Sequence, residues 1–344
     1  MLKTLLLATA LFLAVATSSR ADGIGVRDLR IAGSSESRAL FAVVWYPTPD
    51  TGPMETVAEN LTFQGIAAIR GARVGEGMHP LVVLSHGYGG SWRNLSWLAG
   101  ELAARGYIVA APDHPGTTTF DRDPAEAAKL WERPRDLSRL IDALRADNGL
   151  AAHIDAKRIA VVGHSLGGWT AAALAGARFD TQRFIANCKM NASPRACSLT
   201  TELGLNGRGD GRRRLEDDLG DPRIGAFVSL DLGLARGFSP ESLVALRLPA
   251  LVIAAGIDIG DMPAERESGY LAKGLPAKGS VYTVIPDAMH FSFLQICKPG
   301  AAERIEAETP GDGIVCKDGG TRGRAAIHRE VADRIITFLG VSFR

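Results

Sequence analysis

Eleven residues, Arg158-Ile-Ala-Val-Val-Gly-His-Ser-Leu-Gly-Gly168, constrain this chain more than any other stretch. Ile159 to Gly163 is apolar and partly β-branched, too short for a helix, and predicts a buried strand. Trp169 to Ala177 is rich in alanine and predicts a helix. Between them, Gly163-His164-Ser165-Leu166-Gly167 must reverse the chain in a sharp turn. Such a turn leaves no room for side chains two residues before and after Ser165, which accounts for glycine at both places. The serine is then held in a strained backbone conformation that lifts its Oγ out of the sheet, where a base and a second reactant can reach it. Glycine makes up 39 of the 344 residues, so a G-x-S-x-G pattern by itself says little; the flanking strand and helix give it weight.

The rest of the chain alternates strand and helix patterns. Strands are predicted at residues 25–32, 40–46, 80–85, 107–111, 224–230, 250–255 and 280–285. Leu95, Leu98, Ala99 and Leu102 recur at helical spacing, as do Leu137, Leu140, Ile141 and Leu144 after Pro134. Further helices are predicted at 241–246, 264–273 and 325–339. Alternation of this kind implies βαβ units, an α/β fold with a mostly parallel central sheet and helices on both faces. No repeat and no interdomain linker breaks residues 22–344. Two stretches lack periodicity: residues 60–78, expected as an excursion before the third strand, and residues 179–222, expected as a lid over the site or as a surface insertion.

The N-terminus reads as a targeting segment. Lys3 is followed by an apolar run from Leu5 to Val15, and Ser19-Arg20-Ala21 fits a small-x-small cleavage site, so residues 1–21 are expected to be a signal peptide. The run is too short to span a bilayer. An exported, periplasmic or secreted protein follows as the expectation, and it suits the four cysteines. Three pairings are possible; the nearest-neighbour one, Cys188–Cys197 with Cys297–Cys316, keeps each bridge within one irregular segment. No C-x-x-C is present, so no zinc ribbon or thioredoxin-like site is indicated, and no metal or cofactor is implied. A net charge of +1 supplies no electrostatic footprint for nucleic acid or an anionic membrane.

A serine nucleophile needs an imidazole to take its proton and a carboxylate to hold that imidazole. Two of the seven histidines follow Ser165: His290, in a loop just past a strand, and His328, inside the last helix. His290 is the expected base. For the acid, Asp258 follows strand 250–255 and is preferred; Asp231, at the end of strand 224–230, is the alternative, and Asp261 is third. His86-Gly87-Tyr88-Gly89-Gly90 follows strand 80–85 and predicts an oxyanion site built from the N–H groups of Tyr88 and Leu166, with His86 orienting the loop. Asp113 and His114 read as parts of a structural turn.

Together, His86-Gly-Tyr-Gly-Gly90, Ala111-Pro-Asp-His-Pro-Gly116, Arg133-Pro-Arg-Asp136, Gly163-His-Ser-Leu-Gly-Gly168, Gly256-Ile-Asp258 and His290-Phe-Ser-Phe-Leu294 resemble an α/β-hydrolase. The nearest resemblance is to the bacterial "predicted dienelactone hydrolase" group, itself similar to platelet-activating-factor acetylhydrolases and more distantly to cutinase-like polyester hydrolases. The dienelactone-hydrolase-like pattern implies Asp258 as the acid, whereas the acetylhydrolases place theirs one strand earlier, at Asp231. True dienelactone hydrolases use cysteine where this chain has Ser165. The resemblance implies a serine hydrolase of small-molecule or lipid carboxylic esters, or of phospholipid acetyl esters or polyesters. A non-catalytic binding protein on the same fold would show a broken constellation, and here every part has a candidate.

Overall fold

The computed structural model describes residues 23–190, 193–320 and 322–344. The expected signal peptide, residues 1–21, lies outside the described residues. Ten strands form one sheet: β1 (Gly23–Ile31), β2 (Leu40–Thr48), β3 (Glu55–Val57), β4 (Ile66–Arg70), β5 (His79–Ser85), β6 (Ile108–Pro112), β7 (Ile154–His164), β8 (Ile224–Leu230), β9 (Ala250–Ile257) and β10 (Ser280–Met289). Their order is β10-β9-β8-β7-β5-β6-β2-β1-β4-β3. From β10 through β6 every neighbouring pair is parallel. The β1/β2, β2/β6 and β3/β4 pairs are antiparallel, while β1/β4 is parallel. The mostly parallel α/β architecture expected from the alternating pattern is therefore present.

The inner stretches of the central strands, Leu81–Leu84 in β5 and Ile159–Val162 in β7, are continuously apolar because both faces are covered. Successive side chains point to opposite faces and so enter two separate cores. Val43, Trp45, Val82, Leu84 and Val162 pack on one face with residues of helices Ser96–Ala103 and Arg324–Ser342. Val44, Tyr46, Leu81, Val83 and Val161 pack on the other with residues of helices Glu132–Ala146 and Leu166–Leu174.

Several expected boundaries move. The helix after the turn begins at Leu166, directly after the serine, and ends at Leu174, three residues earlier at each end than its alanine content suggested. The helix expected over 264–273 starts only at Ser268. Residues 60–78, read as patternless, contain β4, which with β3 extends the sheet beyond β1. The described part of residues 179–222 carries three helices, Thr181–Met190, Pro194–Ser198 and Asp210–Glu216, too short for a periodicity to emerge from sequence. The cysteines pair as Cys188–Cys197 and Cys297–Cys316.

Beneath the sheet's loop end lies a buried polar network that the apolar pattern does not announce. The Asp136 carboxylate is fully buried and accepts hydrogen bonds from Arg38, Arg139 and His114. Arg133, also buried, donates to Thr170, Thr117, Ser85 and the His86 carbonyl, joining helix Glu132–Ala146 to the end of β5. Burial lowers the Arg133 guanidinium to about 9, where it still carries its proton at neutral pH. Removing one member of such a network strands the others without water. Asp136→Asn should lower unfolding stability in urea by roughly 3–5 kcal/mol. The exposed carboxylate of Asp210, paired with Arg213 and Arg214, is the control: Asp210→Asn should leave the urea midpoint essentially unchanged. Equal losses in the two variants would show that the buried network does not carry the stability assigned to it.

Candidate active site

Gly163 and Gly167 are fixed by steric limits. A Cβ on Gly163 would stand 1.9 Å from the Gly167 carbonyl oxygen, and one on Gly167 would stand 1.9 Å from the Ser85 carbonyl oxygen. Between them Ser165 has φ 56° and ψ −121°, a left-handed conformation that a side chain seldom adopts. Its N–H donates to the Leu230 carbonyl at 2.9 Å, anchoring the turn to β8. The serine is thereby raised above the loop end of the parallel strands.

His290 meets it there. The Ser165 Oγ lies 3.1 Å from His290 Nε2, and His290 Nδ1 lies 2.7 Å from the Asp231 Oδ2. A carboxylate accepts only, so His290 Nδ1 carries the proton and the bare Nε2 faces the hydroxyl. The other Asp231 oxygen accepts the Ala255 N–H at 2.9 Å. Asp231 is itself at φ 45°, one residue past the end of β8, and 3% exposed.

Placement of the carboxylate corrects the expectation. Asp258 does not reach His290: β9 runs on to Ile257, two residues beyond its expected end, and carries Asp258 to the surface. There its Oδ1 accepts from the Gly260 and Met262 amides and closes its own turn. Asp261 is turned to Arg195, 2.7 Å away. His328 stacks on Trp97 with ring centroids 3.7 Å apart and donates to the carbonyls of Ser292 and Leu294, bracing the segment after His290.

Tyr88 and Ser165 border the same cavity, and Leu166 follows the serine directly. Leu166 is the first residue of its helix, so its N–H has no partner within the helix. Tyr88 makes no backbone N–H bond among the described residues, whereas the Gly89 and Gly90 amides are used by Thr117 and Gly87. His86 holds this turn as expected: its Nε2 accepts the His114 N–H at 3.0 Å, which leaves Nδ1–H to donate to the Gly87 carbonyl at 2.7 Å. Burial, reinforced by Arg133, lowers the His86 pKa well below the usual imidazole value, so the ring is neutral. Asp113 accepts the Trp92 N–H at 2.8 Å and is part of a turn.

A second hydroxyl–imidazole–carboxylate chain lies nearby. Ser85 Oγ is 3.0 Å from His114 Nε2, and His114 Nδ1 is 2.9 Å from Asp136. All three side chains are fully buried, and Arg133 also donates to the Ser85 oxygen. With no path for a reactant, that chain is structural. What distinguishes Ser165 is a cavity of about 190 Å³ at its side, bordered by Gly87, Tyr88, Phe63, Leu294, Ile305 and Val315 among others.

Two participants are not singled out by the sequence: His164, a variable position of the G-x-S-x-G turn, and Glu267, which lies in no motif. His164 donates from Nε2 to the His290 carbonyl at 2.9 Å and so fixes the backbone of the residue beside the serine. Glu267, 1% exposed, accepts the Ala235 N–H at 2.8 Å and anchors the loop that begins at Asp231. A glutamate before a short helix resembles any other in sequence; only its burial sets it apart. The unpatterned 179–222 stretch also reaches this end of the molecule: Tyr88 donates to Glu202, and Arg195 lies over the Phe291 ring at 5.5 Å. Among the described residues, no group of three or more potential ligands is placed to hold a metal.

The chain belongs to the alpha/beta hydrolase family, whose sequence profile matches residues 82–302. Cutinase 1 of Thermobifida cellulosilytica is 29% identical over 39% of this chain and 50% of its own length. Cutinase est2 of Thermobifida alba is 34% identical over 30% and 32%. The bis(hydroxyethyl) terephthalate hydrolase of Streptomyces coelicolor is 30% identical over 27% of each. The chain thus spans half or less of these curated relatives. The structure of a ferulic acid esterase from Streptomyces cinnamoneus superposes with a TM-score of 0.61 at 22% identity, covering 92% of this chain and 88% of that one, and so shares the fold.

Burial pushes the Glu267 carboxyl up from 4.5 to about 7, against the pull of the Ala235 amide and Arg236. The native state then keeps a proton that the unfolded chain has already lost between those two values, so stability falls as pH rises across that window. Relative to Glu267→Gln, the wild type should lose on the order of 3 kcal/mol in chemical denaturation between about pH 4.5 and pH 7. A constant difference across that range would show that Glu267 is ionised throughout.

Proposed function

We propose that this protein is an exported serine hydrolase that cleaves carboxylic esters through an acyl-enzyme, with Ser165 as nucleophile, His290 as general base and Asp231 as the orienting acid. The carrying observation is the unbroken chain from Ser165 Oγ through the imidazole to a buried carboxylate, 3.1 Å and 2.7 Å. Ser165 Oγ bonds to the ester carbonyl carbon as its proton passes to His290 Nε2. The Tyr88 and Leu166 amides receive the negative oxygen. Collapse breaks the bond to the alcohol, which departs with the proton from His290. Water then adds to the acyl-enzyme, giving a proton to His290; the acid leaves, and the proton returns to Ser165. The similarity to cutinases supports an ester as the bond cleaved.

Within the family we infer a resemblance to the bacterial group that is similar to the acetylhydrolases, not to true dienelactone hydrolases, whose pattern would make Asp258 the acid. Asp231 at the end of β8 supports the acetylhydrolase-like pattern. Export is supported by the two disulfides, which persist in oxidising compartments. No helix among the described residues is long and apolar enough to cross a membrane.

Ser165→Ala should cut kcat on p-nitrophenyl butyrate by about 10⁶-fold. Asp231→Asn should cost about 10⁴-fold by disturbing the imidazole tautomer, while Asp258→Asn should leave turnover nearly intact. Loss in Asp258→Asn with turnover retained in Asp231→Asn would reverse the acid assignment.

One observation favours a second reading, in which the ester is a link of an insoluble polyester. Leu61 and Phe120 are 84% and 83% exposed, and each adjoins a residue that lines the cavity, Thr62 and Thr119. Large apolar side chains placed beside a site entrance suit contact with a hydrophobic surface. Leu61→Ser with Phe120→Ser should slow release of product from a polyester film at least fivefold while leaving a soluble ester unaffected. Equal rates on the film would remove this second reading.

A further inference from the structure

The cavity beside Ser165 has two unlike walls. One is the Gly87–Gly90 turn, with Asn94 and Thr119. The other is apolar and built from Phe63, Leu294, Ile305 and Val315. Ile305 belongs to helix Ala301–Glu308 and Val315 to the turn Asp312–Cys316, so both are carried on the loop that Cys297–Cys316 closes. That loop is held from several sides. Gln64 N–H donates to the Ile296 carbonyl and Lys298 N–H to the Thr62 carbonyl, both at 2.8 Å, tying it to the segment that bears Phe63. From below, Arg324 donates to the carbonyls of Val315 at 2.9 Å and of Lys317 and Gln295, both at 3.2 Å. The wall therefore cannot retreat without breaking backbone bonds.

We propose that Ile305 and Val315, presented by this disulfide-closed loop, set the upper size of the acyl group the site accepts. The inference rests on the ester-hydrolase reading above. The departing alcohol must take its proton from His290, so it lies on the imidazole side, and His290 does not line the cavity. The acyl group takes the remaining side. The cavity is small, about 190 Å³, which suits a short acyl chain. Among the described residues no charged side chain lines it, which selects an uncharged alkyl chain or a single ring.

The test is kcat/KM for p-nitrophenyl esters from acetate to decanoate, with acetyl esters of lengthening alcohols run in parallel. The wild type should fall off beyond hexanoate. Ile305→Ala should raise the decanoate-to-acetate ratio roughly tenfold, the worth of about two buried methylenes. Val315→Phe should move the fall-off to shorter acyl chains, so the two variants shift the profile in opposite directions and misfolding cannot imitate both. Unchanged acyl profiles in both variants, with the wild type active, overturn the inference and leave the hydrolase reading standing. A shift confined to the alcohol series overturns the acyl assignment. Absence of turnover of every ester by the wild type removes the hydrolase reading and this inference with it.

Discussion

Backbone packs against backbone at the Ser165 turn, and the rest of the site depends on that contact. Any Cβ at Gly163 or Gly167 would collide with a main-chain carbonyl at 1.9 Å, and a backbone carbonyl cannot swing aside as a flexible side chain can. The turn is therefore closed by two glycines, and the strain is concentrated on the residue between them. Helix Leu166–Leu174 begins at once, so the first helical amide and the serine hydroxyl share one small space. A looser turn would separate them.

Around that fixed point the sheet works as a positioning device. β7, β8 and β10 end at the same side, and their last residues or first loop residues supply Ser165, Asp231 and His290. Hydrogen bonds between strand ends set the spacing: Ser165 to Leu230, Asp231 to Ile253, and Ala255 to the Asp231 carboxylate. The buried Ser85–His114–Asp136 chain shows that the same three residue types in the same sequence of contacts are not enough. Chemistry needs access, and access here comes from the cavity between the Gly87–Gly90 turn and the Cys297–Cys316 loop.

The parts that determine what may enter are the parts that sequence periodicity describes least. The segment bearing Phe63, the 179–222 stretch and the loop after His290 are made of short pieces, a three-residue strand and helices of five to ten residues among them. Elements this short complete too few turns for a period to show. Their positions come from disulfides, a buried Arg324 and isolated backbone pairs, all of which join residues distant in sequence.

The sequence by itself determined the α/β alternation, the serine on its sharp turn, and His290 as the histidine past the last strand. Each of these is local: a run of apolar residues, two obligatory glycines, a position in chain order. The tertiary structure alone decided which carboxylate stands behind His290. Asp231 and Asp258 each follow a parallel strand of the same sheet, and no nearby residue distinguishes them. The choice turns on where β9 stops and on the left-handed backbone of Asp231, which brings its carboxylate to His290. Both are set by pairing between strands, a quantity that no single segment of the chain contains.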